Sequence, residues 1–121
     1  MPNPNRVVGQ IKVKIDGVTY PTSGESSLEI GGPKRDAVKG DYDASSFMES
    51  TEPAKAEVTI NYKPGVGLGA LRAIDNATLT MELDTGSVWI MRNAYVADVI
   101  TFSQDGKAKL VFGGPPAEEM L

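Results

Sequence analysis

Three short acidic-glycine turns, Asp16-Gly17, Asp84-Thr85-Gly86 and Asp105-Gly106, separate runs in which apolar residues recur at every second position. That combination constrains the fold more than any other feature of the chain. Gln10 to Ile15 sets Ile11, Val13 and Ile15 against Gln10, Lys12 and Lys14, the pattern of a strand with one buried face. Val18 to Tyr20 returns after Asp16-Gly17, a dipeptide suited to the positive φ angles of a tight hairpin. Ser26 to Ile30 is a further short strand. Ala54 to Tyr62 places Ala56, Val58, Ile60 and Tyr62 opposite Lys55, Glu57, Thr59 and Asn61. Leu79, Met81 and Leu83 alternate with Thr78, Thr80 and Glu82, and Val88 to Arg92 returns across the second turn. Tyr95 to Phe102 pairs with Lys107 to Phe112 across the third. Leu68, Leu71 and Ile74 share one side of about two helical turns, the only helix expected. The chain is therefore expected to be mainly β: an antiparallel β-sandwich or barrel of about seven strands with one short α-helix.

At 121 residues, with 40% of them hydrophobic, the chain is long enough for one modest core and is read as one domain spanning 1–121. No window approaches the roughly 18 apolar residues of a membrane span, and Met1 to Asn5 lacks both regions of a secretion signal, so residence in a cytoplasm, away from membranes, is expected. There is no histidine and no cysteine, which excludes imidazole acid/base work, the common histidine zinc sites and thiol chemistry. A formal charge of -4 argues against gripping nucleic acid, which requires a basic face.

Each motif that suggests chemistry has a plainer reading. Pro64-Gly65-Val66-Gly67-Leu68-Gly69 sits where a phosphate loop would, but lacks the Lys-Ser/Thr pair and a parallel βαβ setting, and reads as a strand-to-helix turn. Asp41, Asp43, Ser45 and Glu52 fall at positions 1, 3, 5 and 12 of a calcium loop, but Ser46 stands where glycine is required. Glu82 with Asp84, and Glu118 with Glu119, are paired carboxylates whose separation nothing fixes, so they read as exposed charges. No cofactor is implied.

Two segments ask for a partner. The stretch 40–53 has no periodicity, is long enough to need a functional reason, and carries Tyr42, Phe47 and Met48 among polar residues. These side chains either tuck beneath a protruding loop or bury against another copy of the chain. Trp89 and Met91 pose the same question on a strand, since Val88 and Ile90 make both of its faces apolar. The N-terminal segment 1–8 is expected to be flexible, and Gly113-Gly114-Pro115-Pro116 is expected to release an acidic tail within 114–121.

Lys14-Ile15-Asp16-Gly17-Val18-Thr19-Tyr20-Pro21, Lys34-Arg35-Asp36-Ala37-Val38-Lys39-Gly40, Thr78 to Thr85 running into Met91-Arg92-Asn93-Ala94-Tyr95, and Gly106 to Gly114 are landmarks whose order spans nearly the whole chain. In that order the chain resembles the tail tube proteins of Mu-like contractile-tailed bacteriophages and their prophage relatives. The resemblance weakens between Asp41 and Thr51, where the family loop is richer in glycine.

The resemblance implies hexameric rings stacked into a hollow tube in the virion tail, assembled in the bacterial host cytoplasm, with no enzymatic activity. It implies a surrounding sheath protein, a tape-measure protein in the lumen, initiator or baseplate and terminator proteins at the ends, and DNA passing without specific binding. Four strands from each of six copies, at about 4.8 Å spacing and about 40° tilt, would close a barrel roughly 48 Å across. The loop 40–53 would reach a neighbouring ring through Asp41, Tyr42, Asp43, Phe47, Met48 and Glu49. Arg35 and Lys39 would meet carboxylates of a neighbour, and Glu57, Thr59 and Asn61 would face the lumen. The competing reading is a small non-catalytic binding or baseplate β-sandwich that uses the loop aromatics as its contact.

Overall fold

The computed structural model describes residues 3–120. Eleven strands and one helix follow in chain order: β1 (Ile11–Ile15), β2 (Val18–Tyr20), β3 (Ser27–Glu29), β4 (Gly32–Val38), β5 (Ser46–Glu52), β6 (Ala54–Asn61), α1 (Leu68–Leu71), β7 (Ala77–Leu83), β8 (Val88–Val96), β9 (Thr101–Phe102), β10 (Lys107–Gly114) and β11 (Glu118–Met120). All pairings are antiparallel, as tight turns dictate. The main sheet runs β2-β1-β7-β8-β10-β6-β3, with β9 added on β10 and β11 on β8, while β4 and β5 form a separate two-stranded ribbon. The mainly β architecture expected from the alternation is what the chain adopts, with more strands than the seven anticipated.

The Asp16-Gly17 turn has φ angles of 50° and 83°, the doubly positive geometry for which that dipeptide is suited. A single hydrophobic cluster joins the two halves of the main sheet: Val13, Ile15, Leu79, Met81 and Met91 from one, Ala56, Val58, Ile60, Leu110 and Phe112 from the other. The sheet therefore folds over on itself, and β8 is the strand that crosses between its halves. Val88 to Ile90 of β8 pair with β11, and Tyr95 and Val96 pair with β10. Between these stretches the register with β7 slips, so that Arg92 and Asn93 together oppose the single residue Thr78. This is a β-bulge, with Asn93 at a φ of 54°. The extra residue lets Met91 and Ala94 both point into the core, which strict alternation forbids.

Three expectations change here. The stretch 40–53 is not a structureless loop: its second half is β5, paired in full register with β4 from Gly32 opposite Glu52 to Val38 opposite Ser46. It showed no periodicity because neither face of the ribbon is buried against the body. The tail from Gly114 is not released, because Glu118 to Met120 cover the edge of β8 and the Ala117 amide donates to the Ile30 carbonyl at 2.8 Å; Leu121 lies outside the described residues. Tyr95 to Phe102 is not one strand, since β8 ends at Val96 and pairing resumes only at Thr101. Of the N-terminal segment, Met1 and Pro2 lie outside the described residues; further on, Arg6 reaches Asp84 at 3.3 Å and the Gly9 amide donates to the same carboxylate at 3.2 Å.

Candidate functional site

The ribbon is the part of the molecule without cover: every residue from Pro33 to Pro53 is exposed. It leaves the body at Gly31, whose φ of 74° turns the chain out of β3. Cross-strand partners share a face, and successive residues alternate between faces. One face therefore carries Arg35 with Glu49 and Ala37 with Phe47. The other carries Lys34 with Ser50, Asp36 with Met48 and Val38 with Ser46. On the first face Arg35 Nε donates to Glu49 Oε1 at 2.8 Å, and the guanidinium stands 6.0 Å from the centre of the Phe47 ring. Arg35 thus finds its carboxylate within the chain. Phe47 is 58% and Met48 61% exposed, on opposite faces, so neither can be covered by laying the ribbon down on one side.

At the tip, the Gly40 amide donates to the Asp43 carbonyl at 2.7 Å. Asp43 Oδ1 accepts from the Ser45 hydroxyl at 2.7 Å and the Ser45 amide at 3.0 Å, and these bonds hold its carboxyl below the usual carboxylate range. Tyr42 is completely exposed, and Lys39 and Asp41 flank the turn. Glu52 sits at the opposite end of the ribbon, a seven-residue strand or roughly 20 Å away, so the calcium-like spacing does not converge on one point. The ribbon thus gathers Asp41, Tyr42, Asp43, Phe47, Met48, Glu49, Arg35 and Lys39 into one projecting element.

On the outer face of β6, Glu57 is half-buried and Asn61 exposed, but Thr59 is only 8% exposed. Thr59 is flanked by Lys109 of β10, directly opposite, and by Ser23, whose amide donates to the Thr59 carbonyl at 3.0 Å. The strip expected to be uniformly polar and open is therefore narrowed to Glu57 and Asn61 in the single chain. Lys55, Lys107 and Lys109 share that face. Two of these lysines are partnered, Lys55 to Glu57 at 3.6 Å and Lys107 to Glu25 at 3.5 Å.

Glu82 and Asp84 both line one open pocket of about 370 Å³, and each of these carboxylates, like Glu118, is engaged by groups of this chain. Lys14 contacts Glu82 at 2.9 Å and holds it ionised below the usual range. Asp84 is lowered chiefly by the Gly9 amide and then by Arg6. Glu118 faces Arg92 at 3.7 Å. The Pro64 to Gly69 turn leads into a helix of four residues.

A feature that sequence reasoning missed lies at the other end of the sheet. Between α1, the end of β8 and β9 an open, mostly apolar groove of about 530 Å³ is lined by Leu68, Arg72, Val96, Asp98, Val99 and Phe102, among others. Val99 is 85% and Phe102 61% exposed, and the Phe102 ring packs at 5.2 Å on Tyr62. Reading Tyr95 to Phe102 as a continuous strand hid the groove; the run Asp98-Val99-Ile100, with its apolar pair after an acidic residue, was the available hint.

The comparisons agree with this architecture. The sequence model for phage tail tube proteins matches residues 4–119. The Mu-like prophage FluMu tail tube protein of Haemophilus influenzae is 31% identical over 102 residues, covering 84% of this chain and 86% of that protein. Among solved structures, the sheath/tube terminator of an extracellular contractile injection system superposes with a TM-score of 0.69 at 11% identity, over 98% of this chain and 99% of that one. A chain of the sheath-tube complex of such a system gives 0.67 at 12% identity, over 97% and 92%. The tube-terminating cap of an anti-feeding prophage gives 0.61 at 10% identity, over 99% and 91%. The match along nearly the full length, carried by a fold of the same kind, makes this chain a member of the phage tail tube protein family.

Proposed function

We propose that this chain forms hexameric rings that stack into the inner tube of a contractile tail, a conduit through which DNA passes. The observation that carries the reading is the ribbon from Pro33 to Glu52, exposed over its length and apolar on both faces at Phe47 and Met48. A two-stranded hairpin is marginal in water, and burying either side chain would contribute about 1.5–3 kcal/mol. Such an element gains its stability when other copies cover it. The terminal strands β2 and β3 each pair on one side within the main sheet, and joining copies edge to edge would convert open edges into assembly.

In this reading the ribbon contacts a neighbouring ring through Asp41, Tyr42, Asp43, Phe47, Met48 and Glu49, with Lys39 beside the tip. Glu57 and Asn61 look into the lumen, with Thr59 between them largely covered. Two of the three lysines on that face, Lys55 and Lys107, are held in ion pairs, and a net -4 per chain opposes a tight hold on phosphates. A sheath protein surrounds the tube, a tape-measure protein fills it during assembly in the host cytoplasm, and initiator and terminator proteins close its ends. The role is mechanical rather than enzymatic. Negative-stain images of the concentrated protein are expected to show six-fold rings or tubes; a monomer at every concentration would overturn the reading.

A further inference from the structure

Ribbon and groove lie at opposite ends of the same sheet. The ribbon leaves beside Ala54, the first residue of β6, where Gly31 stands against the Ala54 backbone. The groove lies beyond Asn61, the last residue of β6: Phe102 pairs with Ala108, which pairs with Ile60, and its ring rests on Tyr62. Eight residues of strand, roughly 25 Å, separate the two. A contact between the ribbon of one copy and the groove of another therefore joins copies head to tail, an arrangement that propagates as an open stack when its rotation does not close on itself.

Charge selects which face of the ribbon enters. On the Phe47 face, Arg35 and Glu49 already satisfy each other. On the Met48 face, Asp36 and Lys34 have no ion-pair partner among the described residues, and Met48 and Val38 lie beside them. The groove offers the complement. Its apolar floor is bordered by Arg72 and Asp98, likewise without ion-pair partners among the described residues. Methionine, unbranched and adaptable, suits an open apolar groove.

We infer that the Met48–Val38 face of the ribbon seats in the α1–β9 groove of the next copy along the stack, with Asp36 meeting Arg72 and Lys34 meeting Asp98. The assignment rests on the tube reading and names where on the neighbour the ribbon lands.

The chain has no cysteine, so an introduced pair reports on one contact alone. Met48→Cys combined with Val99→Cys, assembled and oxidised, is expected to give a ladder of covalent multimers on a non-reducing gel, at least tenfold stronger than Ala37→Cys on the opposite face of the ribbon combined with Val99→Cys. Asp36→Arg and Arg72→Asp are each expected to lower tube yield at least tenfold, and the two together to restore it to within threefold of the unsubstituted chain. All of these positions are exposed, so circular dichroism should find every variant folded. Normal tubes that give no ladder, or a double charge reversal that restores nothing, would overturn the inference alone and leave the groove to another occupant such as a sheath subunit. An unsubstituted chain that never assembles would overturn the tube reading and this contact with it.

Discussion

Gly31 stands so close to Ala54 that a β-carbon on Gly31 would lie 2.8 Å from the Ala54 amide nitrogen and 2.9 Å from the Glu52 carbonyl oxygen. Those neighbours are backbone and cannot swing aside, and the φ of 74° already favours glycine. Gly31→Ala is expected to destabilise the fold by at least about 1–3 kcal/mol in a denaturant titration. Gly69 is the contrast, since it lies within α1 with open space where its β-carbon would be. Gly69→Ala should stabilise by about 0.5–1 kcal/mol.

The bulge in β8 makes a separate claim on residue 93. Asparagine tolerates positive φ, and a β-branched residue does not. Asn93→Val is expected to cost about 1–3 kcal/mol, whereas Asn93→Gly should stay within about 1 kcal/mol of the parent, both read from the unfolding midpoint.

Phe112 is fully buried in the cluster that joins the two halves of the sheet. Phe112→Ala is expected to cost about 3–5 kcal/mol, a large share of the stability of a domain this size, so the variant should be partly unfolded at 37 °C by circular dichroism.

The ribbon predicts the opposite pattern. Phe47 contributes little to the isolated chain, so Phe47→Ser should shift monomer stability by no more than about 0.5 kcal/mol. Assembly should fall at least tenfold by sedimentation, because the substitution removes apolar surface that only another copy can cover. A stability loss as large as that of Phe112→Ala would mean that the ribbon packs on its own body.

Acid should weaken the fold. Asp43, Glu82, Asp84 and Asp105 are held below the usual carboxylate range, by Ser45, Lys14, the Gly9 amide and the Ser103 hydroxyl respectively. The native chain therefore binds fewer protons than the unfolded one near pH 4. Stability from these groups is fully present above about pH 5 and is lost as pH falls through their lowered native values. Denaturant midpoints measured across that range should decline toward acid, and Asp84→Asn should flatten part of the decline.

Half-buried strands announce themselves because one face is dry, and alternation in β1, β6 and β7 assigned Val13, Ile15, Ala56, Val58, Ile60, Leu79 and Met81 to the apolar faces that are buried in the core. The glycine turns were legible for a local reason, since positive φ is a property of the residue. The ribbon was only half legible. Tyr42, Phe47 and Met48 marked the segment as needing a partner, but strands exposed on both faces carry no period, and β5 emerged only from its register with β4.

What the sequence determined by itself was therefore the mainly β class, the antiparallel connections and the core, because backbone geometry and water act on neighbouring residues. Tertiary structure alone decided that β11 covers the edge of β8, that Lys109 and Ser23 flank Thr59, and that the Phe102 ring rests on Tyr62 beside the α1 groove. Each of these joins residues far apart in the chain. Cover for an edge or a floor for a groove exists only once the folded sheets bring such segments side by side.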